Sequence, residues 1–255
     1  MESTQIPKVI HYCWFGRNPL PPMAVKCIES WKKFLPDYEI KQWNEDNFDI
    51  AVNAYVEEAY YMKKYAFVSD YARFWVLYHH GGLYFDVDVE LLKPIDDILE
   101  TGPFMGLEGF ETWYKYKDLK AAPAAGLGMA AYPKMEAIKD MLDYYTGRHF
   151  ISLKGKPNVK TVVLIVADVL LDRGGVIDPD NITVCSDIHI YPEEYFNPKR
   201  VATGKITITE NTRSIHHYAA TWVDRKRIKG LKLIYERFLN VMLRFRLGLK
   251  RTFSR

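Results

Sequence analysis

The chain holds only three cysteines in 255 residues, Cys13, Cys27 and Cys185, and no two of them form a Cys-x-x-Cys pair. So sparse and odd a set excludes a disulfide framework and a cysteine-built zinc site, and it predicts a reducing compartment. Long apolar stretches are also missing. The longest, residues 162–171, is broken by Asp168 and falls short of the roughly 20 residues that cross a bilayer. Residues 1–7 have neither a basic start nor an apolar run of signal length, so the predicted location is cytoplasmic. No internal repeat and no low-complexity linker occurs, which excludes solenoids and favours one domain over residues 1–224.

What is present begins with an ordinary bulk composition. Hydrophobic residues make up 48% and charged residues 26%, which predicts a packed core rather than disorder. Aromatic residues reach 15%, enough for core rings and for stacking surfaces. The net charge of +3 conceals an asymmetry. Residues 225–255 hold 11 of the 35 Lys and Arg residues and one of the 32 Asp and Glu residues, a local charge of +10 against −7 for the other 224. Leu231, Ile234, Phe238, Met242, Phe245 and Leu249 recur near helical spacing in that tail, which reads as a basic amphipathic helix. It suits an anionic surface on the inner face of the cytoplasmic membrane, where each basic residue contributes about 1 kcal/mol. Nucleic acid is not an expected partner, because interleaved aromatics and groove-reading motifs are missing.

Residues 7–16 read as a strand and its loop, residues 24–34 as a helix and residues 38–43 as a second strand, an opening that implies an α/β fold. Phe67, Tyr71, Phe74 and Tyr78 recur at four, three and four residues, the stripe of a core helix over residues 65–80 that Gly81-Gly82 ends. His79-His80 lies where a helix dipole favours imidazolium and reads as structural. From Leu83 to Leu91, apolar residues alternate with Tyr84, Asp86, Asp88 and Glu90, which predicts one continuous strand with a polar face. Residues 121–128 are mostly small, as a tight turn or a close backbone approach requires. Helices are predicted over 135–145 and 161–171, and a late strand over 204–210.

Asp86-Val87-Asp88 is the strongest chemical feature. Two carboxylates side by side repel, and a hard divalent ion with oxygen ligands, Mn²⁺ or Mg²⁺, relieves that cost. A solvated strand face would carry the same acids, so their surroundings decide. Ser69-Asp70 stands one helical turn before Arg73, whose planar fork suits phosphate. His216 and His217 follow a predicted strand, and either imidazole would complete a two-carboxylate metal site. Trp14 ends the first strand, where α/β sheets place ligands, and its ring would stack on a base.

Together these segments resemble glycosyltransferase family 32, and more distantly the glucosylating toxin domains. The resemblance rests on residues 6–16 (IPKVIHYCWFG), 43–47 (WNEDN), 66–73 (AFVSDYAR), 81–88 (GGLYFDVD) and 215–222 (IHHYAATW), in the family's order. It implies a GT-A fold with a mixed, mostly parallel central sheet flanked by helices. It also implies a UDP- or GDP-linked sugar donor, a divalent metal, a glycan or lipid-linked acceptor in capsule or other surface-polysaccharide synthesis, and retention at the anomeric carbon. Carried over by position, Trp14 stacks on the nucleobase, Ser69, Asp70 and Arg73 hold the donor sugar and diphosphate, and Tyr84 lines the donor pocket. Asp86 and Asp88 meet the metal, and His217 approaches from the far side. Thr221-Trp222 keeps the hydroxyl where relatives often show Ser-Trp. A phosphohydrolase of the haloacid-dehalogenase kind is disfavoured, since no Gly-Asp-x-x-x-Asp cluster occurs downstream. A non-catalytic sugar-nucleotide binder at a membrane is the remaining alternative.

Overall fold

A computed structural model of the chain describes residues 5–110, 116–152, 155, 157–200 and 203–219. The predicted opening is present as β1 (Val9–Cys13), α1 (Pro22–Phe34) and β2 (Glu39–Trp43). Pro22 begins α1 where a missing N–H costs nothing, and Ala24, Cys27, Ile28 and Trp31 form its buried face. Next come α2 (Ala54–Tyr61), capped by the Asn53 side chain on the Val56 N–H, and α3 (Tyr65–His80), which matches the predicted helix residue for residue. Gly81 and Gly82 end α3 at φ +65 and +94. A Cβ on Gly82 would stand 2.6 Å from the Val9 carbonyl oxygen, so only glycine lets β3 (Gly82–Tyr84) come alongside β1.

The chain continues through β4 (Val89–Leu91), α4 (Asp96–Glu100), β5 (Phe104–Gly109), β6 (Ala121–Pro123) and β7 (Met129–Ala131). It then forms α5 (Glu136–Asp143), α6 (Val162–Asp172), β8 (Thr183–Cys185), β9 (Ile188–Tyr191), α7 (Glu193–Phe196) and β10 (Ser214–His216). The late strand expected over 204–210 does not form. These residues are mostly exposed, and their one bridge pairs Ile206 with Lys199. Alternation without a neighbouring edge to bond is not enough to make a strand.

The central sheet runs β2-β1-β3-β7-β5-β9-β8, with β6 on the far half of β5. Parallel pairing of β1 with β2 and β3 and of β5 with β9, and antiparallel pairing of β7 with both β3 and β5, set β1, β2, β3, β5 and β9 in one direction. The expected mixed α/β architecture is therefore present, with the carboxyl ends of five strands on one rim. Helices α2, α3, α5 and α6 cover one face through Val56, Phe74, Ile138 and Val166, and α1, α4 and α7 cover the other through Trp31, Ile98 and Phe196. Among the described residues no helix is long and apolar enough to cross a membrane.

His11 joins these layers. Only 1% exposed, it accepts from Trp43 Nε1 at 3.0 Å through Nδ1 and donates from Nε2 to the Gly81 carbonyl at 3.0 Å. Burial lowers its pKa to about 4, against the pull of the Gly81 carbonyl, with nearby His80 and Lys41 adding to the drop. His80 is lowered too, by burial and by Lys41, so the expected imidazolium at the end of α3 gives way to a neutral ring packed on Trp43. Unfolded His11 takes a proton near pH 6.5 and the folded ring refuses it until about pH 4, so its contribution is complete above pH 6.5 and is lost as pH falls. Between those limits the wild type is expected to lose about 3 kcal/mol more than a His11→Gln variant, read as diverging urea midpoints. Parallel midpoints would disprove it.

Candidate functional site

The strand expected over 83–91 is two strands joined by a turn. The Asp86 N–H donates to the Gly126 carbonyl at 3.0 Å and the Val89 N–H to the Asp86 carbonyl at 3.0 Å, so the backbone turns over Asp86-Val87-Asp88. β3 stays in the central sheet, whereas β4 pairs with β10 in a second, two-stranded sheet. Alternation could not reveal the break, because Val87, Val89 and Leu91 remain buried on its far side. The two carboxylates are thus presented from a bend at the carboxyl end of β3, not from one strand face.

Asp86 is held from behind. Its Oδ1 lies 3.3 Å from Arg73 Nη2 and accepts from the Tyr84 hydroxyl at 3.0 Å. Arg73, 4% exposed, also donates to Asp70 at 2.8 Å and, through Nε, to the Ser69 carbonyl at 3.1 Å. Burial works against the guanidinium, but Asp86, Tyr84 and Asp70 outweigh it and keep Arg73 charged, with a pKa above its ordinary value. Burial raises the Asp70 carboxyl to about 6, with Arg73 opposing and Asp86 reinforcing the rise. Gly126 closes this group. A Cβ there would overlap the Asp86 carboxylate and come within 3.1 Å of Arg73 Nη1, which accounts for the glycine at this position.

Asp88, 14% exposed, is held by β10 and the residues just beyond that strand. It accepts from the Ala219 N–H at 2.7 Å and faces His216 Nε2 at 3.0 Å. Burial would raise its carboxyl, but the His216 ring and the Ala219 N–H more than offset this and hold it below the usual carboxylate value. His216 moves up despite burial, under the pull of Asp88, Asp86 and Glu108. The two histidines are placed apart. Neighbouring side chains on an extended chain point to opposite sides, so His216 meets Asp88 whereas His217 turns to Glu90, at 2.8 Å, which Lys26 also pairs with at 2.9 Å.

Other expected residues lie around Asp86. Tyr84 is 1% exposed, with the Arg73 guanidinium 4.9 Å from its ring centroid, so it supports Asp86 and does not line an open pocket. Arg73 is buried with its hydrogen bonds on Asp70 and the Ser69 carbonyl, and the Ser69 hydroxyl donates to the Tyr65 carbonyl. Trp14 does follow β1 at the rim, partly exposed, with its indole N–H on the Asn18 carbonyl. Thr221, Trp222 and the basic tail lie outside the described residues. Glu108, near the end of β5, was not anticipated. No motif marks it, and only the direction of its strand brings it to this rim.

Among the described residues no three His, Cys, Asp or Glu side chains converge on one point. Mn²⁺ and Mg²⁺ need no such cage, because one or two carboxylates plus substrate phosphate oxygens hold them. Asp86 and Asp88 are donors of that kind. His216 beside Asp88 is a further one, and its buried Nδ1 has no partner among the described residues. These residues fit such an ion.

The buried ion network yields a stability prediction. Arg73→Ala strands Asp70 without its cation, and the expected loss is about 3–5 kcal/mol in denaturant unfolding, the range for breaking an enclosed pair. A loss below about 1 kcal/mol would show the pair to be solvated.

The chain is similar to several known proteins. Residues 21–105 match the family described as the glycosyltransferase sugar-binding region containing a DXD motif. Inositol phosphoceramide mannosyltransferase 1 of Schizosaccharomyces pombe is 28% identical over 115 residues, 41% of this chain and 34% of that one. Uncharacterized glycosyltransferase L373 of Acanthamoeba polyphaga mimivirus is 31% identical over 120 residues, 45% of each chain. The chain thus spans less than half the length of these curated relatives. The crystal structure of a glycosyltransferase involved in glycosylation of the major capsid of PBCV-1 is similar at a TM-score of 0.48 and 12% identity, covering 84% of this chain and 96% of that one. Residues 21–105 of this chain are therefore similar to a glycosyltransferase sugar-binding region, and Asp86-Val87-Asp88 is the Asp-x-Asp sequence within the matched residues.

Proposed function

We propose that this chain is a metal-dependent, retaining glycosyltransferase that moves a hexose from a UDP- or GDP-linked donor to a glycan or lipid-linked acceptor in surface-polysaccharide synthesis. The observation that carries the reading is the position of the DXD bend: two acids at the carboxyl rim of an α/β sheet, where ligands of such sheets bind, inside the matched sugar-binding region. Retention rests on the family resemblance. A lipid-linked acceptor is supported by the name of the fission-yeast relative, which specifies inositol phosphoceramide. The basic segment 225–255 suits an anionic bilayer that would carry such an acceptor.

Departure of a nucleoside diphosphate concentrates negative charge on its outer phosphate. A divalent ion held by Asp86 and Asp88, with His216 beside the second, would supply the compensating charge. The chain's own residues prepare that position. Arg73 and the Tyr84 hydroxyl fix Asp86, and the Ala219 N–H and His216 fix Asp88 as an anion. Gly126 leaves room beside the acids. Trp14 offers a ring at the same rim for the base.

The test is a donor screen with UDP- and GDP-hexoses, following nucleoside diphosphate release with Mn²⁺, with Mg²⁺ and with chelator. Release is expected only with divalent ion, and Asp88→Asn is expected to lower it about 100-fold or more without changing the unfolding free energy by more than about 1 kcal/mol. Full activity of that variant in chelator would reject the metal role, and donor binding without turnover would make the chain a binding protein.

A further inference from the structure

Glu108 occupies the second-to-last position of β5, on the strand face that also carries Phe104 and Gly106. That face packs on α7. Phe104 stacks on Phe196 at 5.0 Å, and a Cβ on Gly106 would come within 2.8 Å of the same side chain. Continuing along β5 past Phe196, Glu108 emerges at the rim where β1 ends before Trp14, β3 before Asp86 and β9 before Glu193. There it is near enough for its charge to act on His216 and Tyr218 and to be acted on by Asp86 and Glu193. Its carboxylate takes part in no hydrogen bond or ion pair among the described residues. Beside it the ring of His216 packs on Tyr218 at 4.1 Å and keeps its own Nδ1 buried and unpartnered.

Glu108 is half-buried, and its carboxylate, without a protein partner among the described residues, is open to a ligand that hydrogen-bonds to it. The chemistry of that ligand is set by the neighbours. Phosphate is disfavoured by repulsion from Asp86, Glu193 and Glu108 itself. A divalent ion is the ligand proposed for Asp86 and Asp88, and Glu108 does not join them in a converging group of three among the described residues. Neutral hydroxyls remain, which donate hydrogen bonds to a carboxylate and add no charge. Burial, with Asp86 and Glu193 reinforcing it and His216 opposing, raises the Glu108 carboxyl, as expected of an anion short of donors.

We infer that Glu108 is a specificity-determining residue whose carboxylate accepts hydrogen bonds from hydroxyl groups of the transferred hexose. This rests on the proposed glycosyltransferase function and adds the part of the donor that the DXD acids do not touch. A site built around a charged acceptor rejects analogues that lack the donor hydroxyl, since the acceptor is then left unpaired.

The experiment uses the full chain, the UDP- or GDP-hexose that the wild type turns over, its monodeoxy analogues and the free nucleoside diphosphate, all with Mn²⁺. Glu108→Gln and Glu108→Asp are both made, so that one misfolded variant does not end the test. Each is expected to lower kcat/KM for the hexose donor about 10- to 100-fold. Calorimetric affinity for the free nucleoside diphosphate should stay within about twofold. At least one monodeoxy donor, already poor with the wild type by a similar factor, should suffer no further loss in the variants. Parallel loss of nucleoside diphosphate affinity, retention of full deoxy discrimination, or a loss confined to the acceptor's KM would each overturn the assignment while leaving the glycosyltransferase reading intact. Failure of the wild type to bind any nucleotide sugar would overturn both.

Discussion

Negative charge gathered at the end of a sheet raises the energy of the fold, and a single enclosed guanidinium offsets it. Arg73 sits in the middle of α3, flanked by the fully buried Ala72 and Phe74, and its hydrogen bonds run to the Ser69 carbonyl and to Asp70, with Asp86 alongside. A buried charge left alone costs several kcal/mol, so the arginine is bound to those acids as firmly as they are to it. The helical repeat makes this possible, because residues three and four apart stack on one face and bring Ser69, Asp70 and Arg73 into line. The position of Asp86 is thereby inherited from the packing of α3, far from any loop that a ligand would have to order.

Asp88 stands two residues away in sequence but answers to a different part of the chain. Its partners come from β10 and just beyond it, with the His216 ring 128 residues further on. The turn at Asp86 makes this division, sending β3 into the central sheet and β4 into the small one. α1 supports the second half, since Trp31 donates to the Val89 carbonyl and the Ser30 hydroxyl accepts from the Leu91 N–H. Burial pushes the Asp70 and Asp88 carboxyls up. For Asp88 the imidazole and an N–H prevail, and for Asp70 the shared guanidinium does not fully compensate. One acid of the motif is thus held by a permanent cation and the other by a titratable ring.

The parts of this arrangement that were legible in the sequence are those set by local periodicity. α3, the opening β1-α1-β2 unit and the stop at Gly81-Gly82 follow from spacing and from the conformations that glycine alone tolerates. The DXD pair, Arg73 and the small residues around Gly126 were recognisable as types, and the reason for them is visible in the contacts. What escaped was long-range. A two-residue alternation reads the same through a turn when the apolar side stays covered, so the break at Asp86 was hidden. The choice between His216 and His217 depends on the register of β10 against β4, with His216 opposite Val89, a pairing that no local pattern encodes. The strand expected over 204–210 failed for the same reason in reverse: its pattern was right and no edge was there to receive it.

Direction, more than any motif, explains why these particular residues meet. Five strands of the central sheet point one way, and the residue that leaves each strand is placed on the same rim wherever it lies in the chain. Trp14, Asp86 and Glu193 follow β1, β3 and β9, and Glu108 closes β5. The antiparallel β7 completes the layout, because it must begin where its neighbours end and so brings Gly126 to Asp86 at a point where a side chain would obstruct it, and Gly128 against Phe85. Parallel strands expose unpaired backbone and helix-covered flanks at such a rim, and polar ligands bind there with little rearrangement of the core. On this account the acids are recruited by topology and sorted by partner. Asp86 has its arginine and Asp88 its histidine, whereas Glu108 has neither, and that inequality separates a residue held by the fold from one left for a ligand.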